Sequence, residues 1–89
     1  MSITKELEIK NRKGLHARAA AAFVKIAESF DSVIEVERIS QTVSGCSIMG
    51  LMMLAAAQGT TIKVTASGAD EQKAMEAISE LVNNKFGEE

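Results

Sequence analysis

The sequence predicts an α+β domain, a four-stranded antiparallel sheet covered on one face by three helices. Three observations carry this expectation. Three stretches alternate apolar and polar residues with period two, the pattern of strands with one covered face. Two longer stretches and one short stretch place apolar residues at helical spacing. The chain has 89 residues, enough for one domain and too few to lay helices on both faces of such a sheet. It has no proline, no low-complexity tract and nothing that marks a linker, so residues 1–89 read as a single unit.

The elements follow in order. In the first strand Ile3, Leu7 and Ile9 share a side, with Lys5 the exception. The first helix is expected from Ala17 to Phe30, where Ala20, Phe23, Ala27 and Phe30 make one apolar stripe. Ile34 and Val36 alternate with Glu35 and Glu37 in the second strand. A weaker strand is expected from Ile39 to Val43, although no Asn-Gly or Asp-Gly turn joins it to the second. A short helix follows, with Ser47 as N-cap and Ile48 to Leu54 as its body. Ile62, Val64 and Ala66 alternate with Lys63 and Thr65 in the last strand. The last helix is expected from Asp70 to Lys85, buried through Ala74, Ala77, Ile78, Leu81 and Val82. Asp70 or Ser67 would cap it, Lys85 would sit well in its last turn, and Gly87 would end it. Residues 87–89 are expected to fray.

Composition removes several classes of function. Three Phe, no Trp and no Tyr leave no rings for a base-stacking platform, and a net charge of −2 does not suit a nucleic-acid binder. Cys46 is the single cysteine, so neither an intramolecular disulfide nor a paired-cysteine metal site is available; it reads as a packing residue. No metal and no other cofactor is expected. The N-terminal stretch has no apolar run of signal-peptide length, and the longest apolar run, Leu51 to Ala57, is far short of a membrane span. A cytoplasmic protein with no membrane insertion is expected.

The stretch NRKGLHARAAAAF, positions 11–23, holds the only histidine. A lone histidine in a small domain most often flanks a helix and faces solvent. Here its neighbours argue for more. Gly14 permits a tight backbone approach, and the first turn of a helix offers unpaired N–H groups with partial positive charge. Through those groups Ala17 and Ala19 would support a bound phosphate. Arg18 adds a charge-assisted donor, and Arg12 and Lys13 raise the local potential. The positive end of a helix also disfavours a second positive charge on the ring, and a neutral ring nitrogen is a nucleophile. The stretch therefore suits a phosphoryl acceptor. One histidine without acidic or thiol neighbours is no metal-ligand set, and no G-x-S-x-G turn supports a hydrolase.

A second stretch, VSGCSIMGLMMLAAAQG at 43–59, crowds Ile48, Met49, Met52 and Met53 onto a helix of two turns. Leu51 and Leu54 are expected to fill the core. So short a helix cannot bury every face, so some of Ile48, Met49 and Met52 should be exposed, as flexible side chains that dock several partners. Ser47 is expected to cap this helix. A phosphate on it would meet the helix dipole and set about two negative charges beside the apolar patch.

With both stretches in view the chain resembles the HPr family, the phosphocarriers of the bacterial phosphoenolpyruvate-dependent phosphotransferase system. G-L-H-A-R at 14–18 and S-I-M-G-L at 47–51 carry the resemblance, which extends to length, element order and TASGADEQKAMEAI before the last helix. The resemblance implies an open-faced β-sandwich. It implies that His16 accepts a phosphoryl group on Nδ1 from Enzyme I and passes it to a IIA-type protein, with Arg18 steering that group. Ser47 would be the regulatory serine modified by an HPr kinase/phosphorylase, and Ile48, Met49 and Met52 the shared docking patch. The expected state is a monomer. One departure stands out: the family usually carries proline after this arginine, and the chain has Ala19. GLHARAA and SGCSIMGLMMLAA are also similar to the branch serving a nitrogen-related, regulatory phosphotransfer chain, so sugar uptake is not implied. A carrier that is a protein substrate rather than an enzyme is the first functional reading. The alternative is a regulatory interaction module signalling through Ser47 with His16 idle; Gly14 and Arg18 around a retained His16 favour the carrier.

Overall fold

The computed structural model describes residues 1–88. Its elements run β1 (Ser2–Glu8), α1 (Ala17–Glu28), β2 (Val33–Arg38), β3 (Gln41–Ser44), α2 (Ile48–Met53), β4 (Thr61–Ser67) and α3 (Glu71–Asn83), then a 3₁₀ turn, Lys85–Gly87. The four strands form one antiparallel sheet in the order β1-β4-β2-β3. Strands β1 and β2 flank β4 and run parallel to each other, so α1 carries the chain between them across the gap that β4 fills.

The alternation in the sequence decides which sheet face is covered. Leu7, Ile34, Val36, Ile62, Val64 and Ala66 are buried, whereas the residues between them stay open to solvent or only partly covered. The register sets Leu7 beside Ile62 and Val36 beside Val64. On the other face Thr4 and Thr65 are cross-strand partners, their hydroxyls 3.0 Å apart. Helix α1 adds Ala19, Ala20, Phe23, Val24 and Ala27 to the core, and α3 adds Ala74, Met75, Ile78 and Val82. The four-stranded antiparallel sheet covered on one face by helices, expected from periodicity, is therefore the fold, and it is the open-faced sandwich that the resemblance implies.

Several local expectations are corrected. The weak strand begins at Gln41, because Ile39 and Ser40 are the turn: both have positive φ, 50° and 63°, between the paired Arg38 and Gln41. That is the backbone of a two-residue hairpin loop with a left-handed pair, usually built from Asn and Gly. Here Ile39 stands 79% exposed. Helix α1 stops at Glu28, and Phe30 lies beyond it, half-buried against the core. In α3 the inward face is rotated toward Met75 and Ser79, leaving Ala77 and Leu81 only partly covered. Helix α3 ends at Asn83, so Lys85 is outside it.

Asp70 takes the N-cap position of α3, yet its carboxylate does not cap it. It accepts instead from the Asp31 and Ser32 amides, at 2.8 and 2.9 Å, and from the Ser32 hydroxyl. The bonds from Ser32 and Asp31 outweigh partial desolvation and lower the Asp70 carboxyl below its ordinary 3.8. Cys46 is exposed rather than packed. Gly87 and Glu88, expected to fray, turn back onto the body of the protein, while Glu89 lies outside the described residues.

Candidate functional site

His16 is the N-cap residue of α1, with extended backbone angles (φ −81°, ψ −177°) suited to that position. Its carbonyl accepts from Ala20 at 2.8 Å, the first bond of the helix. His16 makes no side-chain capping bond, and among the described residues no other side chain caps this end. The amides of Ala17, Arg18 and Ala19 therefore stand in the first turn without intrahelical acceptors. Ala17 and Arg18 are exposed and Ala19 is buried, so Ala19 reaches the site through its backbone only.

The loop before His16 is held by Gly14 and Asn11. Gly14 has φ +69°, and a Cβ there would lie 2.5 Å from the Ala56 carbonyl oxygen. Its close approach is thus to the segment that leaves α2. The Leu15 amide donates to that same oxygen at 2.9 Å. Asn11 is fully buried and donates through Nδ2 to the Gly14 carbonyl at 2.7 Å.

The histidine ring meets an unforeseen partner. Nε2 of His16 lies 2.5 Å from Oε2 of Glu88, and Asn11 Nδ2 donates to the other carboxylate oxygen at 2.9 Å. The chain reaches this point through two left-handed residues, Lys85 (φ 59°) and Phe86 (φ 57°), with Phe86 buried. Burial works against the charge on Glu88. The bonds from Asn11 and His16 and the charges of His16 and Arg18 outweigh it, and its carboxyl is lowered below the ordinary 4.5. An ionised carboxylate only accepts, so Nε2 is assigned the ring proton and Nδ1 the lone pair. Arg12, Lys13 and Arg18 border the same open recess of about 410 Å³. Among the described residues, three cations stand against one carboxylate in the recess, a balance that suits an incoming phosphate.

Ser47 caps α2 as expected: its hydroxyl accepts from the Gly50 amide at 2.9 Å. Leu51 and Leu54 are buried. Ile48 and Met52 are about 40% exposed, Met49 72% and Met53 64%. Met53 is thus exposed as well, although the expectation of exposure named only Ile48, Met49 and Met52. At the other end of α2 the Arg38 guanidinium donates to the Leu54 carbonyl at 3.0 Å, anchoring the helix C-terminus to β2.

Asn11, Met53 and Glu88 are the residues that sequence reasoning missed. Phe86 was the available signal for Glu88, since an apolar side chain amid Lys85, Gly87 and Glu88 needs cover and pulls its neighbours inward.

Known proteins resemble this chain in both sequence and fold. Residues 3–84 match the family described as the PTS HPr component phosphorylation site. A phosphocarrier protein HPr from Neisseria meningitidis is 49% identical over 86 residues, 97% of each chain. Among solved structures, HPr-C-His from Thermoanaerobacter tengcongensis superposes with a TM-score of 0.93 at 47% identity, over 98% of each chain. HPr from Bacillus anthracis gives 0.87 at 38% identity, covering 91% of this chain and 96% of the other.

Proposed function

The chain belongs to the HPr family of phosphocarrier proteins, and from that premise we propose that His16 accepts a phosphoryl group from phosphoenolpyruvate by way of Enzyme I and passes it to a IIA-type protein. The observation that carries this reading is the position of the only histidine. It stands at an uncapped helix N-terminus beside Arg12, Lys13 and Arg18. The amides of the first turn and the Arg18 guanidinium would hold the phosphoryl oxygens, compensating charge without an ordered metal. Gly14 contributes by letting the loop lie against Ala56. The protein is a substrate and donor in a chain of transfers rather than an enzyme, acting as a monomer in the cytoplasm.

We further propose that an HPr kinase/phosphorylase modifies Ser47 and that Ile48, Met49, Met52 and Met53 form the docking surface. Exposed methionines beside a helix-capping hydroxyl support this. A phosphate on Ser47 would stay near the helix dipole, leaving the fold intact while charging the apolar patch.

Intact mass after incubation with phosphoenolpyruvate and Enzyme I tests the carrier. One added phosphate that mild acid removes, and that His16→Ala abolishes, is expected. A label that survives His16→Ala sinks the assignment. No label on the wild type, with stable ATP-dependent modification of Ser47, would favour the signalling module.

A further inference from the structure

Methionine is concentrated where the fold leaves it bare. The chain has five methionines, and three of them, Met49, Met52 and Met53, lie on α2, exposed by 72%, 41% and 64%. Spacings of three and four residues from Met49 set these thioethers side by side on one face of the helix. Of the other two, Met75 of α3 is buried in the core and Met1 precedes β1. We infer that Met49 and Met53, the two most exposed methionines of α2, are a modification site for peroxide, and that their oxidation to sulfoxide weakens docking on α2. The inference rests on the reading of α2 as the docking surface.

The reaction is a two-electron oxygen transfer. A lone pair on sulfur attacks one oxygen of hydrogen peroxide, the S–O bond forms and the O–O bond breaks. The departing hydroxide takes the proton left on the transferred oxygen and leaves as water. Sulfur is oxidised, peroxide is reduced, and the side chain stays neutral. The way back needs a reductant. Two thiols of a methionine sulfoxide reductase system return the sulfur to thioether, becoming a disulfide and releasing the oxygen as water. Ile48, on the same helix, has nothing to oxidise.

Position decides what the oxidation does. A sulfoxide replaces a soft apolar atom with a polar acceptor. On a docking face that acceptor must give up water without gaining a fixed partner, so contact weakens. The fold does not depend on these sulfurs. Helix α2 is held by buried Leu51 and Leu54, by the Ser47 cap and by the Arg38 bond to the Leu54 carbonyl. Met75 is the reverse case: it is 3% exposed, so peroxide reaches it last, and a sulfoxide there would disrupt the core. The methionines of α2 thus stand where oxidation alters contact and leaves packing alone. A phosphate on Ser47 would need a kinase, whereas the thioethers answer to the oxidant itself.

The exposed thiol of Cys46 is the competing target for peroxide, so the experiment uses the full chain carrying Cys46→Ser. The protein is treated with millimolar hydrogen peroxide, mapped by peptide mass and melted. Its KM and the kcat of Enzyme I in phosphoryl acceptance are measured before and after. Oxygen is expected on Met49 and Met53 before Met75, with the melting temperature unchanged and KM raised about tenfold at unchanged kcat. A methionine sulfoxide reductase with a thiol reductant should restore the KM. The same treatment of a chain that also carries Met49→Leu and Met53→Leu, compared with its own untreated KM, should shift that KM by less than about twofold. Met1 and Met52 are common to both proteins, so the difference belongs to positions 49 and 53.

An oxidised protein with unchanged KM overturns the inference, as does one that unfolds on oxidation, or a double-leucine variant that loses as much as its parent. Untreated Met49→Lys separates this failure from failure of the docking reading. If the added charge raises KM and peroxide does not, the peroxide site alone falls. If neither raises KM, α2 is not the docking surface and the inference falls with that reading. A chain that accepts no phosphoryl group overturns the carrier reading and this inference together.

Discussion

Gly14→Ala tests how the loop holds His16. At φ +69° any side chain pays for the left-handed conformation, about 1–2 kcal/mol for alanine. Its Cβ would also lie 2.5 Å from the Ala56 carbonyl oxygen and 3.0 Å from the Ala57 Cα. Both neighbours are backbone, so relief requires the loop and the segment after α2 to part. That oxygen accepts from Leu15 at 2.9 Å, and weakening this bond costs about another 1 kcal/mol. The sum, roughly 2–3 kcal/mol, lowers the melting temperature by about 8–24 °C in a domain of this size. Gly59→Ala is the control. It has φ +89° but nothing within 4 Å of the added carbon, so only the conformational cost of about 1–2 kcal/mol applies. Thermal and urea denaturation of both variants measure the difference. Phosphoryl acceptance should fall only in Gly14→Ala, because the displaced loop carries His16. If the two variants lose the same stability, the packing against Ala56 is not what makes Gly14 necessary.

Other expectations follow from the same contacts. The Asp70 carboxyl is lowered by its bonds to Ser32 and Asp31, so its contribution is full above its ordinary 3.8 and fades as the pH falls through the lower native value. Urea titrations from neutral to acid pH should show Asp70→Asn less stable at neutrality and with a flatter acid limb; parallel curves would contradict the linkage. Ile39→Asn with Ser40→Gly should raise stability by about 1–2 kcal/mol, relieving two left-handed residues at the hairpin turn, read as a higher urea midpoint at unchanged slope. Ser47→Asp should slow phosphorylation by Enzyme I about tenfold, roughly 1.4 kcal/mol in barrier, with the fold retained by circular dichroism; an unchanged rate would remove the switch. Ala19→Pro should melt within about 4 °C of the wild type, since a first-turn amide has no intrahelical acceptor to lose.

The sheet was legible because burial on one face imposes period two, and Leu7, Ile34, Val36, Ile62, Val64 and Ala66 obey it. The hairpin turn was not. Ile39 and Ser40 lack the side chains that announce left-handed residues, and Ile39 extended the apparent strand pattern by one apolar position. Asp70 was legible as a cap position but not in its bonds, because its partners lie 38 and 39 residues away. At the site, His16, Arg18 and the helix start could be read locally: a loop glycine, cations and an alanine run are adjacent in sequence. Glu88 could not, since the bond to His16 closes over 72 residues and depends on a turn that non-glycine residues seldom take.

The loop and the patch are also mechanically one object, and this bears on how a partner finds the histidine. Helix α1 packs on α2, and the loop that ends at His16 is bonded through Leu15 to Ala56, just past α2. The Arg38 guanidinium holds the end of α2 to the sheet. A protein that docks on Ile48, Met49, Met52 and Met53 therefore meets His16 at a fixed offset, without ordering either segment on binding. Preorganisation of this kind lets a weak, short-lived contact suffice for transfer, which a shuttling carrier requires. If partners dock on that patch as proposed, charge at Ser47 would act on chemistry at His16 with no conformational relay. Arg38→Ala tests this. It releases the end of α2 while touching neither His16 nor the patch, and should slow phosphorylation through a higher KM for the carrier at unchanged kcat of Enzyme I. A lower kcat with unchanged KM would mean that Arg38 acts on the histidine itself, and the shared scaffold would not be the link.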